Sequence, residues 1–182
     1  MRRIVTLLVA TGIAGSASAH DRPQPQGCSA IRVTAPGLNK QPRNLIFSPS
    51  HILDLDFETR FERPVYGDHL LHFRVFTPSG FLYQDLTVPF TWPRPGRGPK
   101  NATSDAEAVH PAASFPRGIP VQKLGDTAAR GGRRRDTVQA RLPVAGTSIT
   151  MSTLYGRWTV QAFLDDRARP CSPLQRFTIR AD

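Results

Sequence analysis

Residues 51–62 read HILDLDFETRFE, and from residue 53 onward two sets of side chains alternate without a break. One set is apolar apart from a threonine and comprises Leu53, Leu55, Phe57, Thr59 and Phe61. The other set is charged and comprises Asp54, Asp56, Glu58, Arg60 and Glu62. Because successive side chains of a strand point to opposite sides, a period of two residues predicts a β-strand with one buried face.

The same period recurs along the chain in short segments that are separated by turn-forming residues. The predicted strands lie at residues 29–34, 51–62, 71–75, 81–90, 138–142, 158–164 and 177–179. The sequence TPSG at residues 77–80 joins two of them in a predicted hairpin. No segment after residue 19 shows a convincing helical period. This pattern predicts an all-β fold, an antiparallel β-sandwich.

The first 19 residues have the pattern of a cleavable secretory signal. A basic start, MRR, is followed by the apolar residues 4–13 and by small residues that end in ASA at 17–19. The apolar run is about half the roughly 20 residues that a membrane span needs. We therefore expect cleavage before His20, no membrane span, and a protein that is periplasmic or secreted.

Two cysteines, Cys28 and Cys171, lie near the two ends of the expected mature chain. Disulfides form in the oxidising environment that an exported protein meets, so a Cys28–Cys171 disulfide is predicted. Residues 20–182 are enough to form one domain with its own core.

Residues 91–137 interrupt the strand pattern. They include PRPGRGP at 93–99 and RGGRRR at 130–135 and are poor in apolar side chains. Such a segment cannot bury enough apolar surface to offset the conformational entropy that it would lose on folding. We therefore predict a long disordered insertion, with one short ordered piece near residues 119–124. Its arginines are candidate ligands for an anionic polymer: Arg130, Arg133, Arg134 and Arg135.

Two stretches resemble bacterial immunoglobulin-like domains, including the macroglobulin type. LYGRWTV at 154–160, followed by FLDD at 163–166 and FTI at 177–179, is similar to the hairpin that ends many such domains. FTPSGFLYQ at 76–84 resembles an earlier hairpin of theirs, although Asp166 stands where those domains usually have glycine. The resemblance implies an immunoglobulin-like sandwich that serves adhesion, spacing or partner docking, and it carries over no catalytic residue.

Histidines offer a second line of interpretation. Cleavage after residue 19 would make His20 the first residue, whose α-amino group and imidazole could chelate copper together with a second imidazole. The available imidazoles are those of His51, His69, His72 and His110, and His69 and His72, which flank the start of one predicted strand, are the candidate ligands. The acidic residues of 54–62 are interpreted as the solvated face of a strand rather than as a calcium site or an acid/base pair.

The function expected from these features is that of an exported, non-enzymatic binding or structural module of the bacterial cell envelope, without a cofactor. Its partner would be an envelope protein or an anionic polysaccharide rather than nucleic acid. The net charge of +10, with 21 Arg against 3 Lys, fits an anionic partner but also fits a GC-rich genome. Two alternatives are a copper-binding protein that uses His20 and a binder of anionic polymer that uses the Arg-rich insertion.

Overall fold

A computed structural model describes residues 27–94, 121–125, 136–165 and 168–181. The predicted signal at 1–19, His20, Arg130 and Arg133 to Arg135 lie outside these residues, as does most of the predicted insertion. The strands are β1 (Arg32–Thr34), β2 (Ile46–Phe47), β3 (Asp54–Arg60), β4 (Gly67–Phe76), β5 (Leu82–Trp92), β6 (Gln122–Lys123), β7 (Thr137–Pro143), β8 (Gly156–Leu164) and β9 (Gln175–Ile179). A single-turn helix, α1 (Ser148–Met151), lies between β7 and β8.

The strands form two sheets that pack face to face, so the prediction of an all-β sandwich is confirmed. The smaller sheet has the order β1-β3-β7 and the larger sheet has the order β2-β9-β8-β4-β5-β6. The larger sheet is mixed rather than wholly antiparallel, because β2 pairs parallel to β9 and β6 pairs parallel to β5. Both exceptions are two-residue strands at the edges of this sheet.

The alternation of residues 51–62 builds the inner face of β3 as predicted. Leu55, Phe57 and Thr59 are buried, and the Phe57 ring lies 5.6 Å from that of Phe177 in the opposite sheet. Leu53, which the alternation assigned to the buried set, is instead 73% exposed. It precedes the first residue of β3, so strand packing does not cover it.

The charged side of β3 is only partly solvated, and the interpretation of a solvated acidic face is wrong for Asp56. Its side chain is buried by side chains of the adjacent strand β7, where Arg141 Nε donates to Oδ1 at 2.8 Å and Gln139 Nε2 donates to Oδ2 at 2.8 Å. The hydrogen bond to Asp56 and the charge of that carboxylate raise the pKa of Arg141. The carboxylate therefore links β3 to its neighbour instead of facing water.

The hairpin of β4 and β5 forms as predicted, but β5 extends further than the sequence indicated. It continues through Trp92, which the sequence assigned to the insertion, and β7 already begins at Thr137. Between them, Gln122 of β6 reaches the smaller sheet, with its side-chain amide 2.7 and 3.1 Å from the carbonyl and N–H of Gln139. Parts of β5 and β7 and all of β6 therefore lie within residues 91–137. The predicted boundaries of the insertion were wrong at both ends.

Two elements were not predicted because each is too short to show a period. Helix α1 is one turn, capped by the Thr147 hydroxyl, which accepts from the Ile149 N–H. Strand β2 consists of Ile46 and Phe47. Among the described residues no helix has the length and apolar character needed to cross a membrane.

Cys28 and Cys171 form the predicted disulfide, with a sequence separation of 143 residues. Cys28 pairs with Phe61 just beyond β3, and the Cys171 N–H donates to the Ala162 carbonyl of β8 at 2.8 Å. The bond therefore joins the smaller sheet to the larger one from within the core, since both cysteines are buried.

Replacing Cys28 and Cys171 by serine should lower the free energy of unfolding by about 3 to 5 kcal/mol, because the unfolded chain would lose a cross-link that closes a loop of well over 100 residues. Urea unfolding of the oxidised wild type and of the double variant measures the difference. The reduced wild type is the matched control and should unfold with the variant. Equal stability of the oxidised wild type and the variant would contradict the assignment.

Candidate functional site

The two histidines proposed as metal ligands lie on opposite faces of β4, since they are three residues apart on a strand. His69 lies on the inner side, with its Nδ1 3.1 Å from Asp165 Oδ2 and its ring 5.5 Å from that of Phe90. His72 lies on the outer side, with its Nδ1 3.1 Å from Asp85 Oδ1. The structure does not bring them together.

Their positions do not support a copper site that uses both rings, whereas the predicted chelate by His20 and a second imidazole stays a prediction, because His20 and His110 lie outside the described part of the chain. Each Nδ1 already contacts a carboxylate of its own, and His69 Nε2 lies 3.3 Å from the Tyr66 carbonyl oxygen. Within the described ranges no three His, Cys, Asp or Glu side chains are grouped so as to hold a metal ion.

His72 belongs to a polar cluster on the outer face of the larger sheet. Its Nδ1 also lies 3.0 Å from Thr87 Oγ1, while Arg74 Nε donates to the other oxygen of Asp85 at 3.3 Å. The Arg74 guanidinium lies 4.3 Å over the Phe163 ring, a cation–π contact. His72 Nε2 is buried and has no hydrogen-bond partner. The Asp85 carboxylate and the Thr87 hydroxyl thus both contact Nδ1 of this imidazole, and together with Arg74 and Phe163 they form a packed polar cluster on the sheet.

A cavity of about 440 Å³ opens at the end of the sandwich where β3 and β5 finish and β7 begins. Its lining mixes aromatic, apolar and charged residues: Ser29, Arg60, Phe61, Glu62, Pro64, Trp92 and Asp136. Arg60 Nε and Asp136 Oδ2 form an ion pair at 2.5 Å, and the buried indole N–H of Trp92 has no acceptor. Sequence reasoning missed this cavity because it placed Trp92 in the insertion.

The opposite end of the sandwich exposes apolar side chains. Among the described residues six large apolar side chains are exposed, and four of them lie at this one end. We call these four residues the apolar end: Leu53 (73% exposed), Phe81 (74%), Leu82 (54%) and Met151 (80%). They come from the segment before β3, the turn and first residue that begin β5, and helix α1.

Hydrogen bonds and packing fix the segments that carry the apolar end. The Leu53 carbonyl accepts hydrogen bonds from the N–H groups of Val144 and Ala145, at 2.8 and 3.0 Å, which fixes the start of β3 beside the segment leading to α1. The turn before Phe81 packs on the residue that begins β8, because a Cβ added at Gly156 would come within 3.0 Å of the Pro78 ring. Hydrogen bonds therefore join the segments that carry Leu53 and Met151, whereas the turn that carries Phe81 is held by packing against the start of β8.

Comparison with protein-family models, with curated proteins and with solved structures finds no match to this chain.

Replacing His69 or His72 by phenylalanine should leave the stoichiometry and affinity of any copper(II) binding unchanged, because the Nδ1 of each ring already contacts a carboxylate. Calorimetric titration of the mature protein with copper(II) measures both quantities. A chain that begins at Asp21 is the control for a terminal chelate by His20. Loss of a copper equivalent in either single variant would assign that ring to a copper site and contradict this expectation.

Proposed function

We propose that this protein is an exported, immunoglobulin-like binding module of the bacterial cell envelope, and that it binds a protein partner through the apolar end. The proposal combines three lines of support: the strand order, the features expected of an exported chain, and the exposure of the four apolar side chains.

The strand order supports the immunoglobulin-like assignment. In immunoglobulin sandwiches strands A, B and E share one sheet while C, F and G share the other, with C′ added beside C in variable-type domains. Taking β1, β3 and β7 as A, B and E, the neighbours β9-β8-β4-β5 correspond to G-F-C-C′. The disulfide departs from antibody domains, since it joins the segment before β1 to the loop after β8 rather than strands B and F.

Export is supported by the N-terminal sequence and by the disulfide. Structural disulfides persist in the periplasm and outside the cell and are rare in the reducing cytosol. A positive start, an apolar run and an ASA site before His20 have the composition and order of a secretory signal.

The proposed binding function rests mainly on the exposure of the apolar end. Loops at the ends of a rigid sandwich commonly hold binding residues, because the framework fixes them while their sequences vary freely. Exposed apolar side chains that occur singly need no explanation, whereas a group of them at one end of a domain is typical of an interaction surface. Leu53, Phe81 and Met151 are each more than two thirds exposed and would lose this surface to water when a partner covers them.

A photo-crosslinking residue at Phe81 or Met151 should give the same protein adduct in living cells, because both positions would lie under one partner. The matched control carries the crosslinker at Lys40, which is exposed and polar. Adduct formation is followed by electrophoresis and mass spectrometry of the extracytoplasmic fraction.

A second variant tests whether the apolar side chains supply the affinity. Substituting Leu53, Leu82 and Met151 by serine should abolish the adduct formed from position 81 without lowering the urea midpoint, since these side chains are already exposed. Equal crosslinking from Lys40, or an unchanged adduct in the serine variant, would contradict the proposal.

A further inference from the structure

Strands β8 and β9 present arginines on the outer face of the larger sheet. In both strands buried residues alternate with exposed ones, and Trp158 and Phe177 point into the core. Arg157 and Arg176 therefore point outward. Arg180 follows β9 and donates its backbone N–H to the Phe47 carbonyl at 3.0 Å, so it continues the alternation and lies on the same face.

The register of the two strands brings these arginines together. Arg157 is paired with Thr178, which lies between Arg176 and Arg180 on β9, and Thr159 is paired with Arg176. Directly opposite residues have Cβ atoms about 5 Å apart, and diagonal neighbours are about 7 to 8 Å apart. Three guanidinium groups and two threonine hydroxyls thus share one patch, which we call the arginine face.

The positive charge of this patch is not compensated within the described part of the chain. Arg157, Arg176 and Arg180 are exposed and form no ion pair with a described residue. The contrast is with three other arginines, each of which pairs with an aspartate: Arg60 with Asp136, Arg74 with Asp85, and Arg141 with Asp56.

The chemistry of these side chains suits a ligand that carries many oxyanions. Guanidinium groups bind carboxylate, sulfate and phosphate oxygens through two parallel hydrogen bonds, and hydroxyl groups of Thr159 and Thr178 can donate further ones. Arg176 and Arg180 are four residues apart, which is about 13 Å along a strand. An open face with charges at such intervals fits a repeating polymer better than a small ion, because several weak contacts then act together.

We propose that the arginine face binds an anionic polysaccharide of the cell envelope. This site differs from the apolar end and from the predicted contribution of Arg130 and Arg133 to Arg135. A polysaccharide is favoured over single-stranded nucleic acid because such proteins stack bases on exposed aromatic rings. The described outer-face neighbours of these arginines are instead Thr159, Thr178 and Ile46, and the aromatic residue paired with Thr159 on this face, Phe76, is only partly exposed.

The test measures retention of the mature, oxidised protein on polygalacturonate and on heparin, which present carboxylate and sulfate groups respectively. The triple variant Arg157→Gln, Arg176→Gln and Arg180→Gln should lose its retention on at least one of them at about 0.15 M salt. The slope of log affinity against log salt should fall by about 2, at about 0.7 per lost contact. The corresponding triple Lys variant, which keeps the charge, should restore most of the retention.

The matched control is Arg32→Gln, Arg63→Gln and Lys123→Gln, which removes the same charge from exposed positions elsewhere. This variant and the serine variant of the apolar end should keep the wild-type retention, so failure here is separable from failure of the protein-binding proposal. Urea midpoints check folding. If the triple variant is destabilised, Arg157→Gln and Arg176→Gln alone should each weaken retention.

Four results would overturn the proposal. The wild type could pass both columns without retention, or the matched control could lose as much retention as the arginine-face variant, which would indicate net charge alone. Neutralising Arg133 to Arg135 could abolish retention while the arginine-face variant keeps it. Tighter binding to single-stranded DNA than to either polysaccharide, with the same sensitivity to the triple variant, would assign the face to nucleic acid and likewise overturn the proposal.

Discussion

Phe57 lies fully buried between the two sheets, where its ring contacts Phe73 of β4 at 6.3 Å and Phe177 of β9 at 5.6 Å. Trp158 extends this aromatic layer by stacking on Phe177 at 6.2 Å and donating its indole N–H to the Leu154 carbonyl. Because a strand alternates strictly, fixing these inner residues also fixes which side chains face outward. Both the position of Arg157 and the separation of His69 from His72 follow from this constraint.

Polar side-chain contacts connect strands outside the aromatic core. Asp56 joins β3 to β7 through hydrogen bonds from Arg141 and Gln139. At the edge of the smaller sheet, the Gln122 side chain forms hydrogen bonds with the backbone N–H and carbonyl of Gln139. An edge strand with free N–H and C=O groups invites pairing with another chain. The side-chain amide of Gln122 blocks part of that edge, so strand addition at this point of β7 is disfavoured.

The two proposed binding surfaces are separated by the architecture. The apolar end lies where β3 begins, whereas the disulfide and the mixed cavity lie where β3 finishes. The arginine face lies on the side of the larger sheet that points away from the core. A rigid sandwich cross-linked near its chain ends can hold both surfaces in a fixed relation, so we propose that one domain can contact an envelope protein and an anionic polymer together.

The strands at 71–75, 81–90, 138–142 and 158–164 were predicted from the residues alone, because a period of two is a local signal. The pairing of Cys28 with Cys171 was predicted because the chain has two cysteines and hence one possible pairing. The sequence alone could not place Leu53, whose exposure depends on where β3 begins, nor Asp56, whose burial depends on Arg141 in a strand some 80 residues away. The apolar end and the arginine face arise from neighbours in different strands and loops. Such neighbours do not follow from local patterns, because cross-strand register is set by packing of the whole core.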